Sequence, residues 1–254
     1  MSDAARIVPS HPFDRPPYLI EWGSAGRTLP RKLLTSRRRP HDGPPAFDPL
    51  HLPTGHVKLP FDFCGHMRRL CASVVSRCPG LYHIDVDRLL ITAMQARTSR
   101  SGGLQARVTP LRFRDGALVR RQRGRDYLVQ RFRVDGREML YLVSFCLPRF
   151  QDQSFFEKFV TIFHELHHIG PSFDGDLRRH AGRYEVHTHS QKEYDGQMGE
   201  LARAYLTGGA DPALHAFLRL DFAQLQQKHA GVQGVVVPRP KLLPAPQPKS
   251  PTQY

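Results

Sequence analysis

The stretch that decides the fold is EKFVTIFHELHHIGPSFDGD, residues 157–176. His164 and His168 are four residues apart, so on a helix their imidazoles lie on the same face. Glu165 directly follows the first histidine. This is the HExxH arrangement, in which two neutral imidazoles bind one zinc ion and the glutamate takes a proton from a zinc-activated water. We therefore predict His164 and His168 as zinc ligands and Glu165 as the catalytic base.

The residues around this pattern predict a helix with defined ends. Ser154 and Glu157 form a capping box, in which each side chain accepts a hydrogen bond from the other residue's backbone N–H. Gly170-Pro171 terminates the helix. His167 falls outside the register of the other two histidines, so we expect it to pack beside the site rather than bind the metal. Apolar residues at helical spacing predict the buried face: Phe155, Phe159, Ile162, Phe163 and Leu166.

A catalytic zinc ion normally has three protein ligands, and four downstream residues are candidates for the third. Asp174 and His180 are the weaker two, because Pro171 breaks the glycine spacing that a ligand at 174 requires and arginines surround His180. His189 precedes Ser190, the predicted N-cap of a second helix, and at that position it can pack against Tyr194 as a hydrophobic staple. His187 has no such explanation. We therefore predict His187 as the third ligand and keep His189 as its main alternative.

Two segments before this helix have clear secondary-structure patterns. Apolar residues at helical spacing after Asp62 predict a helix that ends before Pro79. The stretch VDRLLITAMQART, residues 86–98, favours a strand. Asp-Gly pairs at 115–116 and 135–136 each separate two β-rich runs, which predicts two hairpins. Together these patterns predict a small antiparallel sheet before the histidine helix.

Two further helices are predicted after it. Ser190 and Glu193 form a second capping box, and Gly208-Gly209 ends that helix. Asp211-Pro212 begins the third helix as N-cap and first-turn proline, and its apolar pattern extends to about Leu225.

The distribution of proline indicates where the folded domain lies. Ten of the 22 prolines fall in residues 1–57 and six in residues 229–254, and both segments lack sustained apolar periodicity. Such segments bury too little apolar surface to offset their conformational entropy. We therefore predict one folded domain over residues 58–228, with disordered segments at 1–57 and 229–254.

Net charge and cysteine content indicate which partners and which cellular compartment to expect. The formal net charge is +14, which suits a polyanionic partner such as nucleic acid through a basic surface. No stretch has the length and apolar character of a signal peptide or a membrane span, so we expect a cytoplasmic protein with no membrane association. The four cysteines lack the CxxC spacing of a zinc site, and we expect buried free thiols.

From about residue 60 to residue 208 the order of elements resembles the SprT-like and related metallopeptidases of the zincin superfamily. The resemblance rests on His164, Glu165 and His168, followed by a histidine close to a second helix. It implies an α+β zincin-like fold, a Zn²⁺ cofactor and hydrolysis of a protein or peptide substrate. The alternative is a basic, nucleic-acid-associated module in which the zinc is structural or vestigial.

Overall fold

The computed structural model describes residues 7–9, 17–23, 30–33, 59–96, 103–179 and 191–246. Within those ranges the architecture is α+β, as expected from the sequence, and combines small sheets with five α-helices. The strands are β1 (Ile7–Pro9), β2 (Tyr18–Trp22), β3 (Arg31–Leu33), β4 (Phe61–Asp62), β5 (Leu89–Gln95), β6 (Ala106–Pro110), β7 (Val119–Gln122), β8 (Arg125–Val129), β9 (Phe132–Val134), β10 (Arg137–Glu138), β11 (Tyr141–Leu147), β12 (Val232–Val236) and β13 (Leu242–Pro244). The helices are α1 (Phe63–Arg77), α2 (Phe155–His167), α3 (Gln191–Thr207), α4 (Pro212–His215) and α5 (Phe222–Lys228).

The central sheet has the strand order β5-β11-β6. All seven residues of β11 are buried, because strands cover both of its edges and helices pack on the sheet. A strand buried on both faces is apolar along its whole length, and YLVSFCL fits that pattern. β11 is parallel to β5 and antiparallel to β6, so the prediction of a purely antiparallel sheet is wrong. The strand β6 lies at one edge of this sheet.

The helix predicted after Asp62 is confirmed. The Asp62 carboxylate accepts a hydrogen bond from the backbone N–H of Gly65 at 3.0 Å, and the helix ends at Arg77, before Pro79. Its apolar face is buried against the central sheet. All four cysteines are free and buried, as expected, and three of them lie on or next to this helix.

The prediction for α2 is also confirmed. Both hydrogen bonds of the Ser154–Glu157 capping box are present, at 3.3 and 2.9 Å. At the other end, the backbone N–H of Arg178 donates to the carbonyl of His168 at 2.7 Å, and the Arg178 Nε donates to the carbonyl of His167 at 2.7 Å. A cationic side chain at a helix C-terminus is favourable, because it neutralises the negative end of the helix dipole.

The two Asp-Gly pairs have different outcomes. Asp135 and Gly136, with φ of 50° and 77°, form the predicted tight turn between β9 and β10. The pair at 115–116 also has positive φ, but the strands around it do not pair with each other. The strand β6 pairs with β11, and β7 pairs with β8 through a turn at Arg123-Gly124. The first predicted hairpin is therefore wrong.

The segment after α3 is more broken than the sequence pattern predicts. The helix α4 begins at Asp211-Pro212 as predicted but lasts only to His215, and a 3-10 turn follows. The helix α5 then starts afresh with its own capping box, Asp221 with Gln224. This break supplies backbone carbonyls to a buried lysine on α2. Lys158 is 2% exposed and donates to the carbonyls of Leu218 and Leu220 at 2.9 and 2.8 Å.

Both flanks of the predicted domain contribute to the core. The strands β2 and β12 pair antiparallel, with Trp22 opposite Val232, in a second sheet of order β3-β2-β12-β4. Trp22 is 2% exposed, and its Nε1 donates to Gln95 Oε1 at 2.7 Å. A Cβ on Gly234 would lie 2.7 Å from the Cβ of Ala93, so glycine permits β12 to pass close to β5. The boundaries at 57 and 229, and the prediction of disorder for these strands, are wrong.

The basic residues lie in two kinds of surroundings. Arg112 and Arg131 both form ion pairs with Glu138. On the hairpin of β7 and β8 the arginines are exposed, which agrees with a solvated sheet face: Arg120, Arg121, Arg123 and Arg125. None of the helices in the described part of the chain has the length and apolar character needed to span a bilayer.

Trp22→Ala tests the revised domain boundary. Because the indole is buried between β5 and α5, we expect the free energy of unfolding to fall by about 3–5 kcal/mol, a typical cost of deleting a buried tryptophan. The matched control is Tyr82→Ala, which removes an aromatic ring that is 61% exposed and should change the free energy by less than about 0.5 kcal/mol. Equal effects of the two variants in chemical denaturation would contradict the boundary.

Candidate functional site

A cavity of about 650 Å³ lies between the edge strand β6 and the exposed side of α2. One wall is the chain from Gly103 to Val108, and the opposite wall is α2 from Glu157 to the residue that caps its end, His168. Asp195 of α3 also lines the cavity. The apolar face of α2 is buried in the core, whereas Glu157, Thr161, His164 and His168 line this cavity.

The structure brings together the three residues of the HExxH pattern. His164, Glu165 and His168 all line the cavity. The two imidazole ring centroids are 4.6 Å apart and the rings are nearly perpendicular, at 80°. The His164 side chain is 15% exposed and His168 is 5% exposed, so both rings are largely shielded from bulk water.

Glu165 is tied to the edge strand. The backbone N–H of Val108 donates to Glu165 Oε2 at 2.6 Å, which fixes the carboxylate at the lip of the cavity. Glu165 is 8% exposed, and burial raises its pKa to about 7, because desolvation disfavours the charged form. The Val108 hydrogen bond and the positive charge of Arg107 act in the opposite direction and favour the carboxylate.

Tyr194, in the first turns of α3, contacts all three histidines of α2. Its ring stacks on His168 at 5.9 Å and meets the edge of His164 at 5.0 Å. Its hydroxyl lies 2.6 Å from His167 Nδ1. His167 therefore contacts Tyr194 and does not line the cavity with His164 and His168. Tyr194 is 1% exposed, so the contacts belong to the packed core between α2 and α3.

Asp195 is the site residue that sequence reasoning missed. Its Oδ1 lies 3.1 Å from His164 Nδ1. The available signal was that Asp195 directly follows Tyr194 near the start of the second predicted helix. Helical spacing alone does not identify the residue that Asp195 contacts, because that residue lies on another helix.

Of the four residues predicted as candidates for a third ligand, Asp174 alone lies in the described part of the chain. His187, together with its alternatives His189 and His180, lies outside the described residues. Asp174 does not line the cavity, and its carboxylate accepts hydrogen bonds from Ser172 Oγ at 2.9 Å and from the Asp176 N–H at 3.0 Å. Within the described ranges, no group of three His, Cys, Asp or Glu side chains is arranged to hold a metal ion.

The donor set at the cavity fits zinc as far as it is described. Two imidazoles lie next to each other in a shielded cavity, and one of them has a carboxylate at its second nitrogen, which is the usual partner of a zinc-bound histidine. A glutamate follows the first imidazole, in the position of a base.

Comparison with known proteins adds no relative to this picture. No family model, no curated protein and no solved structure matches the chain.

Proposed function

We propose that this protein is a zinc-dependent metallopeptidase with a zincin-like domain, similar to the SprT-like metallopeptidases. One observation carries the proposal: α2 presents His164, Glu165 and His168 to a single cavity whose other wall is a sheet edge. A chance occurrence of the motif does not account for the position of all three side chains of a capped helix at one cavity.

His164, His168 and His187 would hold the zinc ion in this proposal. Bound zinc supplies a Lewis acid, which polarises a carbonyl group and activates water. Two of these ligands come from the C-terminal end of α2, where the hydrogen bonds of Arg178 to the carbonyls of His167 and His168 fix the backbone. The third would come from the chain that leads into α3.

Glu165 would act as the proton carrier. Its carboxylate takes the proton of the attacking water and passes it to the nitrogen of the leaving amine. The Val108 N–H holds one carboxylate oxygen in place, so the base does not have to be ordered in each turnover. Burial removes competing bulk water from the carboxylate, which strengthens its interaction with the reacting proton.

The edge of β6 would hold the substrate. This strand pairs with β11 on one side only, and its residues from Ala106 to Val108 line the cavity. An extended peptide can add to such an edge through main-chain hydrogen bonds. The N–H of Val108 in this strand already donates to Glu165, so a peptide added along the strand would lie next to that carboxylate. This geometry favours an extended segment of protein or peptide as the substrate.

One observation favours the alternative function, a basic nucleic-acid-associated module with a structural or vestigial zinc. The hairpin of β7 and β8 exposes Arg120, Arg121, Arg123 and Arg125, a concentration of positive charge that suits phosphate groups. A structural zinc site is closed by four protein ligands, whereas the described wall of this site borders a cavity of about 650 Å³. The cavity supports the enzyme over the module.

Zinc content tests the metal site. We expect the purified full chain to bind about one zinc ion, as a single HExxH site requires. His164→Ala/His168→Ala should lose that zinc, because it removes both helix ligands. The matched control is His66→Ala/His229→Ala, which removes two histidines that pack on Phe61 outside the cavity. Elemental analysis that finds equal zinc in all three proteins would exclude the proposed site.

Glu165→Gln separates the base from the ligands. The variant keeps the size of the side chain and loses its ability to accept the proton, so hydrolysis should fall by about 100-fold or more while zinc content stays the same. The matched control is Glu200→Gln, on the exposed face of α3, which should keep its activity. Peptidase activity of the Glu165 variant at the level of this control would refute the role of Glu165 as the base.

The third ligand is tested by comparing His187→Ala with His189→Ala. Loss of a true ligand should weaken zinc binding by orders of magnitude, whereas loss of a packing residue should cost only about 1 kcal/mol of stability. We expect His187→Ala to lose zinc affinity and His189→Ala to lose stability alone. Zinc titration and thermal unfolding measured on both variants decide the assignment, and the reverse pattern would transfer the ligand to His189.

A further inference from the structure

We propose that Asp195 is a positioning residue for the metal site: its carboxylate accepts the Nδ1–H of His164 and so holds that imidazole in the tautomer whose Nε2 lone pair is available to a divalent metal. The inference deepens the proposed function and rests on it for the identity of the metal. It adds a residue on a different helix, 31 positions along the chain from its partner.

The hydrogen-bonding chemistry of the pair determines the tautomer. The Oδ1 of Asp195 lies 3.1 Å from His164 Nδ1, which is hydrogen-bond distance. An ionised carboxylate only accepts hydrogen bonds, and a neutral imidazole has a proton on one of its two nitrogens. The proton of a neutral His164 must therefore be on Nδ1. Nε2 then has the lone pair that a metal ion requires.

The residues around His164 and Asp195 restrict the orientations that the imidazole can adopt. Asp195 is on the wall of the cavity, and its side chain is 41% exposed while its Oδ1 contacts the ring of His164. The neighbouring Tyr194 packs against the edge of His164 and stacks on His168, which restrains the rotation of both imidazoles. Two consecutive residues of α3 thus fix the orientation of the ligand pair on α2. The packing of α3 on α2 therefore orients the imidazoles of His164 and His168.

This role differs measurably from that of a ligand. Loss of the partner of a zinc-bound histidine typically weakens metal affinity by about 10–100-fold, because the ring loses its preferred tautomer and orientation. The number of bound zinc ions should not change, since the donors themselves remain.

The experiment uses the full chain and two variants, Asp195→Ala and Asp195→Asn. In the metal-free proteins, ¹⁵N-detected NMR of the imidazole nitrogens at neutral pH reports which nitrogen of His164 has the proton. We expect the Nδ1–H form in the wild-type protein and a shift towards Nε2–H in Asp195→Ala. Asp195→Asn retains an acceptor oxygen of the same shape and should show intermediate behaviour. The matched control is Glu200→Ala, an exposed carboxylate of the same helix, which should leave the tautomer unchanged.

Zinc affinity, measured by competition with a chromophoric chelator, gives the second readout. We expect Asp195→Ala to bind one zinc ion about 10–100-fold more weakly, with partial recovery in Asp195→Asn. An Nε2–H form in the wild-type protein, or an unchanged affinity in Asp195→Ala, would overturn the proposal. Complete loss of zinc in both variants would also overturn it, because Asp195 would then be a ligand.

These outcomes are separable from those of the proposed function. The tautomer of His164 is measured without metal and without substrate, so it stands even if no peptide is hydrolysed. Conversely, a Glu165→Gln variant that lacks activity beside an Asp195→Ala variant with unchanged tautomer would keep the peptidase and reject the positioning role.

Discussion

The structure depends on the burial of one face of α2 in the hydrophobic core, where Phe159 and Phe163 contact Tyr205 of α3. Phe159, Ile162 and Phe163 are each fully buried, and this face cannot rotate without exposing them to water. Burial of a phenylalanine side chain contributes about 1.5–3 kcal/mol, so the rotational position of the helix is strongly determined. With that face fixed, His164 and His168 must lie on the flank that borders β6 and α3. The geometry of the site is thus set by apolar packing, and the polar contacts of Val108, Tyr194 and Asp195 refine it.

The sequence was most informative where the determinants are local. The capping box of α2, the Asp62 cap of α1 and the Asp135-Gly136 turn each depend on residues within a few positions of one another. The same is true of the HExxH pattern, because helical periodicity alone brings its two histidines to one face. Elements of this kind can be predicted from a single chain, since no distant partner decides between alternatives.

Non-local pairing accounts for the failures. Asp115-Gly116 adopts the left-handed φ values expected of a tight turn, but β6 pairs with β11, which follows more than thirty residues later. Tyr18–Trp22 and Val232–Val236 have weak patterns in isolation and gain their stability only from each other and from the core. Asp195 belongs to the same class, because only the packing of α3 on α2 identifies His164 as its neighbour. Bringing these partners together costs loop-closure entropy, and no local sequence preference indicates which residues will pair.

The pairing of β2 with β12 also constrains the order in which the protein can fold during its synthesis. A ribosome has synthesised α2, and with it both helix histidines, long before it reaches Val232. Trp22 has no strand β12 beside it during that time, because its partner is more than two hundred residues downstream. Contacts of such high sequence separation form late and slowly. Until β12 emerges, the apolar surface that Trp22 buries in the folded protein lacks this strand as a cover, and exposed surface of this kind favours aggregation.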